Sequence, residues 1–197
     1  MSHASHPPQQ PATRIFNPGW GPLSTLPGNP VMWVLIISEL LAFSGFFILF
    51  AWARTRQPEL FNLSQSQLNP VIGGVNTLIL LTSGLCAALA LQALAHSRRR
   101  ARQWLGLTMV LGVVFCIVKF MEYASKFAAG ITPETNTFFG YYYGLTAFHF
   151  AHVLFGLALL ALVTWRLSEE NLETVAAFWH MVDLIWILLY PLIYLLR

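Results

Sequence analysis

The chain has 197 residues, 56% of them hydrophobic and only 10% charged, whereas soluble domains carry about a quarter charged residues. So few charges cannot clothe a water-facing surface, so the surface must face lipid. The formal net charge of +3 sits in loops rather than on a folded face, which excludes a nucleic-acid footprint.

A spanning helix needs about 20 largely apolar residues. Five segments meet this, at 31–53, 72–96, 103–126, 138–166 and 174–196. The fold class is therefore all-α, a polytopic membrane bundle of five transmembrane helices forming one domain over 31–197. Residues 1–30 form a polar, Pro-rich N-terminal tail with seven prolines, expected to be disordered or surface-lying. It shows no apolar stretch of the kind a cleavable signal peptide needs.

The first span carries Glu39 among Ile36, Ile37, Leu40, Phe43 and Phe46, with no counter-charge near it in sequence. An unpaired carboxylate in hydrocarbon is costly and is kept for a reason. It marks either a proton-handling site or a contact with another polypeptide that supplies the partner. The link 54–71 holds Pro58, Asn62, Asn69 and Pro70, which read as turn and breaker residues. The second span contributes Cys86 and the third Cys116, both read as small packing residues. Between these spans lies the basic link from His96 to Arg102, with Arg98, Arg99, Arg100 and Arg102. The positive-inside rule places it in the cytoplasm. With five crossings the N-terminus is then cytoplasmic and the C-terminus periplasmic.

The third span ends with Lys119, Glu122 and Lys126, whose spacing puts both lysines beside Glu122 on one face. This reads as a self-neutralised cluster near the outer interface with snorkelling lysines, or as a docking point for a partner subunit or lipid headgroup. In the fourth span Gly140, Gly144, Ala147 and Ala151 form a small-residue stripe that suits close helix packing. His149 and His152 lie on a different face, and either ligate a metal or hydrogen-bond across helices. The fifth span aligns Ala176, His180, Asp183, Ile187, Tyr190 and Tyr194 on one face, which should meet protein rather than lipid. His180 and Asp183 are either a packing lock or a proton relay.

Counting about 1.5 Å per residue from the cytoplasmic side, Glu39 lies roughly 12 Å deep, His180 roughly 9 Å and Asp183 roughly 13 Å. A meeting of Glu39, His180 and Asp183 is therefore expected to be possible. His152 lies about 21 Å deep on the same count, too far from His180 to share a haem with it. His149 and His152 share one helix and cannot clamp a porphyrin. No clustered Cys, His and Met set offers a copper site. No metal site, no catalytic residue and no cofactor in this chain are expected.

Four stretches, in order, resemble subunit III of the haem-copper oxidases. They run from Ile36 to Phe47, from Leu68 to Gly84, from Glu122 to Gly156, and from Trp179 to Trp186. The pairing of Phe148-His149-x-x-His152-Val153 with Trp179-His180-x-Val182-Asp183-x-x-Trp186 is the most specific part. The resemblance implies an accessory, cofactor-free subunit that flanks a haem-containing catalytic subunit, in a bacterial inner membrane. Support of assembly, stability or proton uptake is the implied role, with membrane phospholipid as a bound component and haem only in the partner. Glu39 matches the family's buried, carbodiimide-reactive carboxylate, and Glu122, His149, His152, His180 and Asp183 fall on motif positions. The chain begins at what would be the third helix of the seven-helix form. Among five-helix relatives, Glu59 to Asn62, the run from Asn76 and the ending from Tyr190 look most like the NorE branch associated with nitric oxide reductase. The alternative is subunit III of an aerobic terminal oxidase of the cytochrome c or quinol type. A remoter alternative is an independent proton channel or transporter, against which stands the lack of an internal repeat.

Overall fold

The structure, a computed structural model, describes residues 30–196. The expectation for the tail at 1–30 therefore lies outside the described residues, Pro30 excepted. Six α-helices follow in order: α1 (Pro30–Arg56), α2 (Pro58–Gln65), α3 (Pro70–Leu94), α4 (Arg98–Ala128), α5 (Thr137–Trp165) and α6 (Glu169–Tyr190). A π-turn, Pro191–Leu195, extends α6. Five of these are long and apolar enough to cross a membrane, with α6 and its π-turn forming one span. The chain is a multi-pass membrane protein.

The residues read as breakers start helices instead. Pro58 and Pro70 stand in the first turns of α2 and α3, where a missing N–H is no loss. Asn69 caps α3 by accepting from Val71 N and Ile72 N. Ser97, Asn136 and Ser168 cap α4, α5 and α6 in the same way. In sequence the short helix α2 reads as loop because eight residues are too few to show a period. It is held by Phe61, fully buried between Phe50 and Phe138 with ring centroids 5.3 and 5.5 Å away. At the start of α4 sit Arg98, Arg99 and Arg100, with no acid in the first turn. Cations there oppose the helix dipole; they answer to membrane topology rather than to helix stability.

Helix α6 is the axis of the bundle. Of its most apolar window 56% is buried, against 17% for α1, which lies on the rim. Two indoles fix α6 against α3. Trp179 donates to Ser83 Oγ at 3.2 Å, and Trp186 to Thr77 Oγ1 at 3.0 Å. The Trp179 ring fits between Gly112 of α4 and Gly156 of α5, where an added Cβ would meet it at 3.0 and 2.7 Å. Gly73 likewise receives the rings of Tyr190 and Tyr194. These glycines make the close helix contacts. The stripe expected to do so does not: Gly144, Ala147 and Ala151 are exposed, and nothing lies within 4 Å of a Cβ built on Gly144. The face of α5 that packs inward is instead lined by Phe139, Tyr142, Leu145, Thr146, His149 and Val153.

The end of the fold closes through its π-turn. A proline inside a helix removes a donor and frees carbonyls. The carbonyls at the end of the turn are open because no further helical turn follows, and Gln65 of α2 takes them up, its amide donating to Ile193 O at 2.7 Å and to Leu192 O at 3.4 Å. That turn aims Tyr194 into the bundle, where it is 2% exposed.

Candidate functional site

Among the described residues, three pairs of oppositely charging side chains lie inside the membrane spans. The first joins α1 to α5. Phe43 packs on Phe148 with centroids 4.9 Å apart, which sets the antiparallel register of the two helices. Glu39 is one turn before Phe43 and His152 one turn after Phe148, so they meet. His152 Nε2 lies 3.1 Å from Glu39 Oε2, with the side chains 13% and 22% exposed. His152 Nδ1 lies 2.8 Å from the Phe148 carbonyl. A carbonyl only accepts, so Nδ1 carries a hydrogen. The Glu39–Nε2 contact then needs one proton of its own, held by the carboxyl or by the ring. The arrangement is a one-proton hydrogen bond at the lipid-facing rim of the bundle.

This corrects the depth count, which grouped Glu39 with His180 and Asp183. Helix ends do not lie level. Helix α6 starts at Glu169 rather than near 174, and the ring packing of Phe43 on Phe148, not distance from an end, fixes what Glu39 meets.

The second group stands towards the other end of α4. Lys119 is 1% exposed. Its ammonium donates to Glu122 Oε2 at 3.1 Å, to Tyr194 OH at 2.8 Å and to Tyr142 OH at 3.2 Å. The hydroxyls of Tyr142 and Tyr194 in turn donate to Glu122 Oε1 at 3.0 and 2.7 Å. The rings of Tyr142, Tyr123, Trp186 and Tyr194 surround the ammonium at 4.7 to 5.5 Å. All three ammonium donors are used, and the cation faces aromatic quadrupoles. The expected snorkelling is thus wrong for Lys119. Only Lys126 reaches outward, and it donates to the Gln67 carbonyl rather than to Glu122.

The third group is His180 and Asp183 on α6. Asp183 is 5% exposed and His180 Nδ1 lies 3.8 Å from its Oδ2. Gly84 of α3 makes the space, since an added Cβ there would overlap Asp183 Oδ2. The expectation that this whole face meets protein holds for Ala176, Asp183 and Tyr194 but not for His180 or Ile187, whose side chains face outward. His180 is 47% exposed and opens into a groove of 570 Å³ between α1, α3 and α6.

His149 belongs to none of these. It is fully buried, stacked on Trp186 at 5.0 Å and edge-on to Phe43 and Phe115. Neither ring nitrogen has a hydrogen-bond partner among the described residues. Of the expected histidine pair, only His152 makes the cross-helix bond. Sequence reasoning also missed Tyr142, Ser83 and Thr77, and it placed Tyr194 on the protein-facing side of its span without its bond to Lys119. The repeat of Glu39-x-x-x-Phe43 and Phe148-x-x-x-His152 is the signal that would have found the first pair. Among the described residues no three His, Cys, Asp or Glu side chains gather into a metal-binding set.

Comparison with known proteins agrees with this architecture. The family model described as cytochrome c oxidase subunit III matches residues 29–197. Cytochrome c oxidase subunit 3 of Synechocystis is 31% identical over 173 residues, covering 83% of this chain and 73% of that protein. Cytochrome c oxidase subunit 3 of Pelomedusa subrufa is 33% identical over 178 residues, covering 83% and 67%. Cytochrome bo(3) ubiquinol oxidase subunit 3 of Buchnera aphidicola is 25% identical over 179 residues, covering 83% and 84%. By its matched residues and its five spans, the chain belongs to the cytochrome c oxidase subunit III family.

Proposed function

We propose that the chain is the accessory third subunit of an aerobic haem-copper terminal oxidase. In this reading it holds no haem or copper of its own and flanks the catalytic subunit in a bacterial inner membrane, its basic α3–α4 loop in the cytoplasm. The relatives named above are terminal-oxidase subunits, which favours this reading over the NorE branch suggested by short stretches of sequence. The observation that carries the role is the Glu39–His152 bond. It is partly exposed on the rim of the bundle, where lipid would solvate it poorly. A polypeptide partner laid over α1 and α5 would cover it, and its single proton offers the partner a place to store or pass one.

The test is mild extraction by a C-terminal tag, with mass identification and an optical spectrum of what co-purifies. A haem-copper partner that reduces oxygen is expected. A partner with b- and c-type haems that reduces nitric oxide would move the chain to the NorE branch. A colourless, partner-free protein would sink the accessory reading. Glu39→Gln, whose amide can donate to His152 Nε2, should leave recovery of the complex within about twofold and lower its turnover, since the bond is kept and the mobile proton lost. Unchanged turnover would confine Glu39 to packing.

A further inference from the structure

We propose that the groove between α1, α3 and α6 is covered by the chain's own N-terminal segment, with Trp20, Leu23 and Leu26 laid across its mouth. The groove has a volume of 570 Å³, and Trp33, Leu40, Leu91 and Leu184 are among its walls. It lies near the end of the bundle that carries Arg98 to Arg102, since Leu91 and Gln92 stand just before the α3–α4 loop. The segment leaves the bundle at that same end. Residues 1–29 precede Pro30, the first residue of α1, and Trp33 on the groove wall follows within one turn, about 4.5 Å along the helix. A tethered segment meets a neighbouring site at an effective concentration on the order of millimolar, so modest contacts hold it where a free ligand would leave.

The sequence of the segment suits the site. Pro18, Pro22 and Pro27 fix their own φ and hold the residues before them, Asn17, Gly21 and Leu26, out of the α region. Chain of the polyproline type repeats every three residues, so Trp20, Leu23 and Leu26 fall on one face. At about 3.1 Å per residue that face runs roughly 19 Å, enough to cross between helices whose axes stand about 8–10 Å apart. Leu26 is four residues from Pro30, a reach of at most about 13 Å. Proline-rich segments dock in aromatic and apolar grooves because their extended form is already set and little entropy is lost. The polar lining agrees. Glu173 and Gln92 line the groove near its mouth, and the Trp20 indole is a donor that a carboxylate oxygen can accept. Residues 1–29 contain no Asp or Glu, so no acid in the segment repels Glu173.

The experiment uses the full chain in nanodiscs of phosphatidylethanolamine and phosphatidylglycerol, with a photoreactive benzoylphenylalanine in place of Leu23. After irradiation, adducts are mapped by peptide mass. Intrachain adducts on Leu91, Ala177 or Met181 are expected, whereas the same probe in place of Ser5 should give lipid adducts alone. Gln92→Trp, which plugs the mouth from an exposed position, should abolish the intrachain adducts. Gly144→Leu, in the separate pocket between α1 and α5, should leave them unchanged. The thermal melt of each variant reports its fold. Trp20→Ser with Leu26→Ser alters the segment and leaves the bundle as it is, and this pair should also remove the adducts. Adducts to lipid alone, adducts between two copies, intrachain adducts outside the groove, or groove adducts that survive both Gln92→Trp and the paired serines would each overturn the proposal.

Discussion

Lys119 and Glu122 are three residues apart, yet the lysine is held equally by Tyr142 and Tyr194, which come from α5 and the π-turn. Sequence spacing showed the pair and not the tyrosines, because only i±3 and i±4 neighbours are visible in a single helix. That is why the lysine read as snorkelling when it is sealed. Breaking a buried pair from one side costs about 3–5 kcal/mol. Glu122→Ala should therefore lower the unfolding temperature in detergent sharply, and Lys119→Met in the same chain should restore most of the loss. Additive losses would show that the two do not act as a pair. His149 is the opposite case. Its nitrogens bond nothing described, and replacing an unpartnered polar group by an apolar one of similar shape is neutral or stabilising. His149→Phe should hold or raise the unfolding temperature, by up to about 1–3 kcal/mol of stability. A clear loss would mean that the imidazole has a bonding partner.

At the scale of elements, the five spans were legible from length and apolarity alone, because a membrane leaves the backbone no choice but helix. Their faces were not. The small-residue row of α5 draws the eye to Gly144, and nothing in sequence says that the Trp179 ring lies against Gly156 while Gly144 stays open. The two can be separated. Gly156→Leu should destabilise the isolated chain by several kcal/mol through overpacking against indole. Gly144→Leu should leave the isolated chain's melt unchanged, since the added side chain meets only open space. The reverse order would refute the helix assignments given above. Asn136, which caps α5 by accepting from Phe139 N at 3.0 Å, was not singled out in sequence. Asn136→Ala should cost about 1 kcal/mol in the same melt.

Over the whole molecule, enclosure runs from α6 at the axis to α1 at the rim. Local opening follows burial, so amide exchange in detergent should be fastest in α1 and slowest in α6. Equal protection of both would contradict the rim position of α1. Glu39 was legible as a lone acid, but its partner was not, because the register of α1 on α5 is a property of the assembled bundle. The same long reach of the Lys119 cluster bears on how the chain is made. Tyr194 follows Lys119 by 75 residues, so at ribosomal speeds of about 5–20 residues per second the lysine waits roughly 4–15 seconds for it. Early in that interval, before Tyr142 follows 23 residues behind, the fourth helix holds Glu122 as the one described hydrogen-bond partner of Lys119 already translated, with the Tyr123 ring beside it. Glu122 is thus an escort for a cation in transit as well as a strut in the finished bundle. Glu122→Gln should lower the amount of chain that reaches the membrane, whereas Tyr194→Phe should insert normally and fail only at final closure.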